Sequence, residues 1–108
     1  MSSQCYSVVG VTFEGRQDIL SDFYKSYRHG GHYDVMLERE PDNQYDKNAI
    51  SVSLDVGNSD FKKVGYISKQ DNELLGTVMD RLKTAKVHSM GPNYKGDIGL
   101  TIEAEFDD

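Results

Sequence analysis

The sequence predicts a mainly β fold with two helices, arranged as a small, strongly bent sheet or a closed six-stranded barrel. Its 108 residues fit a single domain over residues 1–108, with a core of about 6–106. Six short segments resemble strands and two have helical periodicity, in the order β-α-β-β-β-α-β-β. A barrel is favoured because closure would hide sheet edges that could otherwise aggregate.

Alternation of apolar and polar residues defines most of the strands. It is clearest in residues 50–56 and 98–106, where every second residue is apolar, so each is expected to bury one face. The first strand is predicted instead from the β-branched and aromatic run "YSVVGVTF". Lys62 and Lys63 are expected to be solvated at a strand end. The six predicted strands span residues 6–13, 33–39, 50–56, 62–68, 84–90 and 98–106.

Two segments carry apolar residues at helical spacing. The first runs from Gln17 to about Arg28, and "HGGH" at 29–32 is expected to end it. The second begins after Ser68, which fits a capping box with Asp71. The predicted apolar faces are Ile19, Leu20, Phe23, Tyr24 and Tyr27 in the first helix, and Leu74, Leu75, Val78, Met79 and Leu82 in the second.

Charge and cysteine content narrow the classes of function. The formal charge is -6, but residues 103–108 hold four of the acids, and without them 12 basic residues face 14 acidic ones. A nonspecific duplex-DNA binder is usually basic, so a histone-like role is disfavoured, whereas a small local binding site suits this balance. Cys5 has no partner for an internal disulfide, and no signal peptide or long apolar run is visible. A cytoplasmic protein without membrane association is therefore expected.

The segment "EREPDNQYDKNAI" joins two predicted strands and is dense in hydrogen-bonding groups. Pro41 has no N–H and stops the strand that enters the segment. Residue types whose side chains bond nearby backbone groups in turns follow it: Asp42, Asn43, Asp46 and Asn48. Spacing alone therefore favours a self-bonded connection for most of this segment.

Tyr45 and Asp46, as a pair, are not required by turn formation. The Tyr45 ring either folds back onto the barrel or serves as a stacking platform for a base. Asp46 beside it accepts hydrogen bonds from a hydroxyl or an amine and repels phosphate. The pair thus favours a sugar hydroxyl or a base edge over a run of phosphates.

This segment resembles the corresponding motif of HIRAN domains. The pattern E-P-D-N-x-Y-D-x-N-A-I, together with "VGYIS" and "VVGVTFEGRQ", carries the resemblance over residues 6–75, and the whole chain agrees in length and element order. The resemblance implies a small β-barrel related to OB and SH3-like barrels. HIRAN domains occur beside SNF2-type helicases and as standalone microbial proteins. A DNA-binding member captures the 3′-hydroxyl end of single-stranded DNA by base stacking and an aspartate.

The resemblance transfers to this chain residue by residue. Tyr45 and Asp46 match the family's Tyr-Asp pair. Phe13 stands where the DNA-binding member has a tyrosine and keeps the ring without the hydroxyl. Thr12 stands where that member has an arginine, and Tyr66 where it has a histidine. These changes remove positive charge or polar groups from the implied nucleic-acid-binding site.

Two basic residues are candidates for phosphate contacts at the mouth of that site. Arg16 would contact phosphate, or else be solvated or paired with Glu14 or Asp46. Lys47 could approach a phosphate, although an exposed lysine is the more common outcome.

Metal-binding and catalytic alternatives have weaker support. His29 and His32 have an H-x-x-H spacing, but structural zinc normally takes four ligands, so two histidines at a helix end are favoured. The clustered acids Glu38, Glu40, Asp42 and Asp46 would suit magnesium, yet no accompanying histidine or lysine constellation supports catalysis. No G-x-x-x-x-G-K-[ST] phosphate-binding motif occurs in the sequence. We therefore expect a protein that is not an enzyme and needs no cofactor.

The leading hypothesis is a module that grips a single-stranded DNA end through Tyr45, Asp46, Phe13 and Tyr66, with Arg16 near the phosphates. A separate helicase or nuclease in DNA repair would be its protein partner. The alternative hypothesis is a barrel that binds a protein or peptide and no DNA. Its signature would be an exposed apolar groove without positive charge nearby.

Overall fold

The computed structural model describes residues 2–28 and 31–107, which form six strands, two α-helices and a short 3₁₀ helix. The predicted mainly β class, with two helices in the predicted order, is confirmed. In chain order the elements are β1 (Ser2–Val9), α1 (Arg16–Ser26), β2 (Val35–Arg39), β3 (Ile50–Asp55), β4 (Phe61–Ile67), α2 (Lys69–Val78), the 3₁₀ helix (Met79–Arg81), β5 (Leu82–Pro92) and β6 (Ile98–Phe106).

The strands form one antiparallel sheet in the order β2-β3-β4-β1-β6-β5. The long strand β1 changes partner along its length. Its residues from Ser2 to Ser7 pair with β6, whereas Val8 and Val9 pair with β4. This change of partner bends the sheet between its two three-stranded halves.

The outer strands β2 and β5 approach each other without forming a ladder. In the described part of the chain they meet at an isolated bridge between Asp34 and Lys86. Beside it, the Val87 N–H donates to the Tyr33 carbonyl oxygen at 2.9 Å. The expected barrel is therefore a strongly bent open sheet, because one bridge does not join two strand edges into a continuous ladder.

The apolar core follows the alternation of the strands, with one exception. β6 buries every second residue from Ile98 to Phe106, as predicted. β3 was expected to bury one face but buries both, since Ser51 and Ser53 are 2% and 9% exposed. The Ser51 hydroxyl donates to the Glu38 carbonyl oxygen at 3.4 Å, which gives this buried hydroxyl a partner.

The first strand ends earlier than predicted. It ends at Val9 because Gly10 has a φ of 72°, a left-handed conformation that interrupts an extended strand. The turn that follows contains a second left-handed residue, Glu14, with a φ of 56°. Thr12 and Phe13 therefore lie on the connection between β1 and α1 and not on a strand.

The second helix begins as predicted, and one residue of its predicted apolar face, Leu74, is not buried. The Ser68 Oγ accepts a hydrogen bond from the Gln70 N–H at 3.2 Å and caps α2. Leu74, predicted to be buried, is 75% exposed. The predicted Leu75 is buried, and the predicted Val78, Met79 and Leu82 pack partly against the core. Asn72, three residues before Leu75 and so on the same side of the helix, is buried as well. No helix among the described residues is long and apolar enough to cross a membrane.

The first helix is tied to the last strand through Gln17. Its Nε2 donates to the carbonyl oxygens of Ile98 at 2.9 Å and Val11 at 3.1 Å, and its Oε1 accepts from the Ile98 N–H at 2.7 Å. At its other end α1 stops at Ser26. The predicted role of "HGGH" falls partly on His29 and Gly30, which lie outside the described residues.

Candidate functional site

The β2–β3 turn, the β1–α1 connection, β4 and the start of α2 surround a pocket of about 670 Å³. Five of the predicted site residues line it: Tyr45, Asp46, Phe13, Tyr66 and Arg16. The other two do not line it. Thr12 is exposed on the β1–α1 connection, and Lys47 lines a neighbouring groove of about 400 Å³.

Asn43 organises the turn that presents the central pair. Its Oδ1 accepts hydrogen bonds from the N–H groups of Tyr45 at 2.9 Å and Asp46 at 3.0 Å, as expected for a side chain that replaces a backbone partner. The backbone bonds expected from Asp42 and Asn48 are not formed, since neither side chain bonds another described residue. With the turn held this way, the Tyr45 ring is 83% exposed.

The Asp46 carboxylate connects the turn to α2. Its Oδ1 accepts from the Asn48 N–H at 2.9 Å, and its Oδ2 accepts from the Asn72 Nδ2 at 2.8 Å. These two hydrogen bonds, together with the attraction of Lys69, lower the pKa of Asp46 below its ordinary value, so it is charged at neutral pH. Each carboxylate oxygen can accept a further hydrogen bond, which leaves capacity for a ligand donor.

Two cations contact the Tyr66 ring. The Arg16 Cζ lies 5.3 Å and the Lys63 Nζ 5.2 Å from the ring centroid. Arg16 is only 6% exposed. Its Nη1 donates to the Gly10 carbonyl oxygen at 2.7 Å, and its Nη2 donates to the Glu14 carboxylate at 3.2 Å. Of the alternatives for Arg16, pairing with Glu14 is the one observed.

Glu40 links the turn to β4 from outside the pocket lining. Its Oε2 accepts from the Lys63 Nζ at 2.6 Å, and its Oε1 accepts from the Tyr66 hydroxyl at 2.8 Å and the Asn43 Nδ2 at 3.2 Å. Burial raises the pKa of Glu40, but hydrogen bonds from Lys63, Tyr66 and Asn43 outweigh it and leave the pKa lowered. The bond to Glu40 in turn raises the pKa of Lys63. Lys63 is exposed, as expected, and it also forms an ion pair with Glu40.

Several residues of this site were not predicted. Lys69 and Asn72 also line the pocket, although neither was among the predicted site residues. Asn72 is 3% exposed, and its position three residues before Leu75 was a usable signal, because a polar residue on a buried helical face needs a partner. Within residues 2–28 and 31–107, no group of three or more His, Cys, Asp or Glu side chains is placed to hold a metal ion.

The charged residues of the pocket lining balance one another: Arg16 and Lys69 against Glu14 and Asp46. Two of its three aromatic rings are open to solvent, with Tyr45 83% and Phe13 65% exposed. Fold and site together define a small bent-sheet binding module with an open aromatic cleft.

Comparison with known proteins places this module in a family. The HIRAN domain model matches residues 1–106. The chain is 43% identical over 72 residues to the helicase-like transcription factor of Oryctolagus cuniculus. The matched segment is 67% of this chain and 7% of that protein. The crystal structure of the HIRAN domain of human HLTF is similar with a TM-score of 0.57 and 27% identity, over 95% of this chain and 74% of that chain. The chain belongs to the HIRAN domain family, as its sequence motif predicted.

Proposed function

We propose that this HIRAN domain is a noncatalytic nucleic-acid-binding module that captures the 3′-hydroxyl end of single-stranded DNA. The observation that carries the proposal is the pocket itself, in which the exposed rings of Tyr45 and Phe13 share one lining with the charged Asp46 carboxylate. Membership of the family supports the same ligand, because the sequence resemblance implies a module that binds DNA ends.

The aromatic rings would supply most of the affinity. Stacking of a base on an aromatic side chain contributes about 1–3 kcal/mol and tolerates any base. Tyr45 and Phe13 present their rings to solvent, so a base can stack without displacing protein contacts. Two or three stacked bases give modest affinity once the cost of ordering the strand is subtracted.

Asp46 would supply the preference for a hydroxyl end. A terminal 3′-hydroxyl can donate to a carboxylate oxygen, whereas a terminal phosphate brings negative charge against it. The bonds from Asn48 and Asn72 fix the carboxylate before a ligand arrives, so little ordering is required of it.

Peptide binding is the less favoured alternative. That hypothesis predicted an exposed apolar groove, whereas four charged residues, Glu14, Arg16, Asp46 and Lys69, line this pocket. In the proposed role, a separate helicase or nuclease that produces single-stranded ends would be the protein partner.

The test is a titration of fluorescent single-stranded oligonucleotides that end in a 3′-hydroxyl or a 3′-phosphate. The wild-type chain should bind the hydroxyl end more tightly, by about tenfold. Asp46→Asn should narrow that preference. Its amide oxygen can still accept from the Asn48 N–H, and its NH2 group can donate to Asn72 once the Asn72 amide turns its oxygen inward. Equal binding of both ends by the wild type would refute end recognition. Binding of neither would refute the DNA proposal and leave peptide binding as the remaining candidate.

A further inference from the structure

We propose that Glu14 is a specificity-determining residue that withholds the Arg16 guanidinium from phosphate groups. The inference deepens the proposed function, on which its oligonucleotide part rests. It concerns a pair, Arg16 and Glu14, that the structure places in the pocket lining beside Phe13 and Tyr66.

Arg16 is a buried cation at a pocket wall. Its side chain is 8% exposed, and its charged partner in the structure is Glu14, at 3.2 Å. Its other hydrogen bond goes to the neutral carbonyl oxygen of Gly10, at 2.7 Å. A buried charge is costly unless it is paired, so this guanidinium requires an anion at the position that Glu14 fills.

Glu14 holds that position loosely. Its side chain is 77% exposed, so its pair with Arg16 is weakened by solvent screening. A guanidinium binds phosphate oxygens with the same planar donor geometry that it offers to a carboxylate. The Glu14 carboxylate therefore accepts the hydrogen bond from Arg16 Nη2 that a ligand phosphate would otherwise accept.

The backbone of Glu14 supports a role for its side chain. Its φ of 56° is left-handed, a conformation that glycine adopts without cost and other residues adopt uncommonly. Gly15, the next residue, is also left-handed, with a φ of 75°. A glutamate in this conformation is strained, and in this position its side chain accepts a hydrogen bond from Arg16.

Charge balance indicates what the removal of Glu14 would do. The lining carries two cations, Arg16 and Lys69, and two carboxylates, Glu14 and Asp46. A neutral residue at position 14 would leave one net positive charge, centred on the most buried of these groups. The pocket would then attract phosphate, and its preference for an uncharged hydroxyl end would decrease.

The direct test is a titration of the folded chain with inorganic phosphate, followed by the backbone amide signals of Gly10 and Phe13 in NMR spectra. Glu14→Gln keeps the shape and the acceptor of the side chain but removes its charge. Glu38→Gln is the matched control, because Glu38 is exposed on β2 outside the pocket lining and the charge change is the same. Glu14→Gln should bind phosphate about five- to tenfold more tightly than the wild type and the control. Equal phosphate binding by all three proteins would overturn the inference.

The oligonucleotide titration separates this inference from the proposed function. Glu14→Gln should narrow the preference for a 3′-hydroxyl end and steepen the dependence of log affinity on log salt by about 0.7, the effect of one additional phosphate contact on a single strand. A variant that keeps the wild-type preference and salt slope would overturn the role of Glu14 and leave the proposed function intact. If the wild type binds no oligonucleotide, the proposed function fails, and the phosphate titration still decides the role of Glu14.

Discussion

Tyr45 and Asp46 are adjacent in the turn, yet the structure uses them in opposite ways. The Asp46 side chain is held by two hydrogen bonds, whereas the Tyr45 ring is 83% exposed. An exposed ring contributes little to folding, so the role proposed for Tyr45 is ligand contact and not stability.

Replacement of Tyr45 tests this division of roles. Tyr45→Ala should weaken binding of a single-stranded oligonucleotide by roughly 5- to 150-fold, the equivalent of one lost stacking contact. Tyr45→Phe keeps the ring and should stay within about twofold of the wild type. Fluorescence anisotropy measures both, and the free energy of unfolding should be unchanged in each. An alanine variant that binds as tightly as the phenylalanine variant would contradict stacking at this position.

The lowered pKa of Glu40 predicts that the free energy of unfolding depends on pH. Its folded-state pKa is lowered, so the stability that it contributes is present above its unfolded pKa of about 4.3 and is lost as the pH falls through the folded value. Glu40→Gln should cost about 0.5–1 kcal/mol at pH 7, because solvent screens the partly exposed Lys63. Urea denaturation between pH 7 and 3 should show a steeper decline for the wild type than for the variant. Parallel profiles would contradict the role assigned to the Glu40 carboxylate.

At the residue scale the sequence predicted the central pair but not its supports. Tyr45 and Asp46 stood out because turn formation does not require them together. Lys69 and Asn72 belong to α2, and Asn72 lies 26 residues after the Asp46 to which it bonds. No local sequence motif connects a helical asparagine to a carboxylate in a turn. Such a contact follows from tertiary packing, which single-sequence patterns do not encode.

Among the elements, the antiparallel pairing of β4 with β1 imposes the tightest packing near the site. A Cβ atom on Gly65 would lie 2.5 Å from the Val9 carbonyl oxygen and 2.6 Å from the Val8 Cγ1. Since a backbone atom cannot yield as a flexible side chain can, the close approach of the two strands depends on glycine at this position.

Paired glycine substitutions test this close strand pairing. Gly65→Ala should lower the free energy of unfolding by about 1–3 kcal/mol, as expected for overpacking against a strand. Gly76→Ala is the matched control, because it lies within α2 and no heavy atom comes within 4 Å of its added Cβ. The control should raise stability by about 0.5–1 kcal/mol. Chemical denaturation distinguishes the two, and a neutral Gly65→Ala would show that the strands can separate at little cost.

Element types were more predictable than element limits. The alternation in β6 identified its buried residues correctly, since one face of that strand packs on the core. The end of β1 was missed because the left-handed Gly10 lies inside a run of strand-favouring residues. The burial of Leu74 was also mispredicted, because the buried side of α2 runs through Asn72 and Leu75, and Leu74 lies at the edge that faces solvent.

On the scale of the whole molecule, one apolar cluster receives side chains from every strand and from both helices. Leu20 of α1 and Ile102 of β6 are both 0% exposed within it. The pocket is therefore built on connections that a shared core holds in place, and damage to that core should affect the whole chain at once.

Substitution of a core leucine and of an exposed leucine tests whether the chain unfolds as one cooperative unit. Leu20→Ala should cost about 2–5 kcal/mol, because it removes buried methyl groups and leaves a cavity. Leu74→Ala, at a position 75% exposed, should stay within about 0.5 kcal/mol of the wild type. Urea unfolding followed by circular dichroism and by tyrosine fluorescence should give coincident transitions. Separate transitions would contradict a single cooperative core.

The carboxamide of Gln17 also bears on the order of folding. It bonds both backbone groups of Ile98, a residue 81 positions away along the chain. Closing a loop between such distant positions costs more than closing a local one, so we expect these bonds to form after much of the intervening chain is organised. The side-chain amide protons of Gln17 should then become protected from solvent exchange late in refolding. Their protection would report when the first helix docks on the last strand.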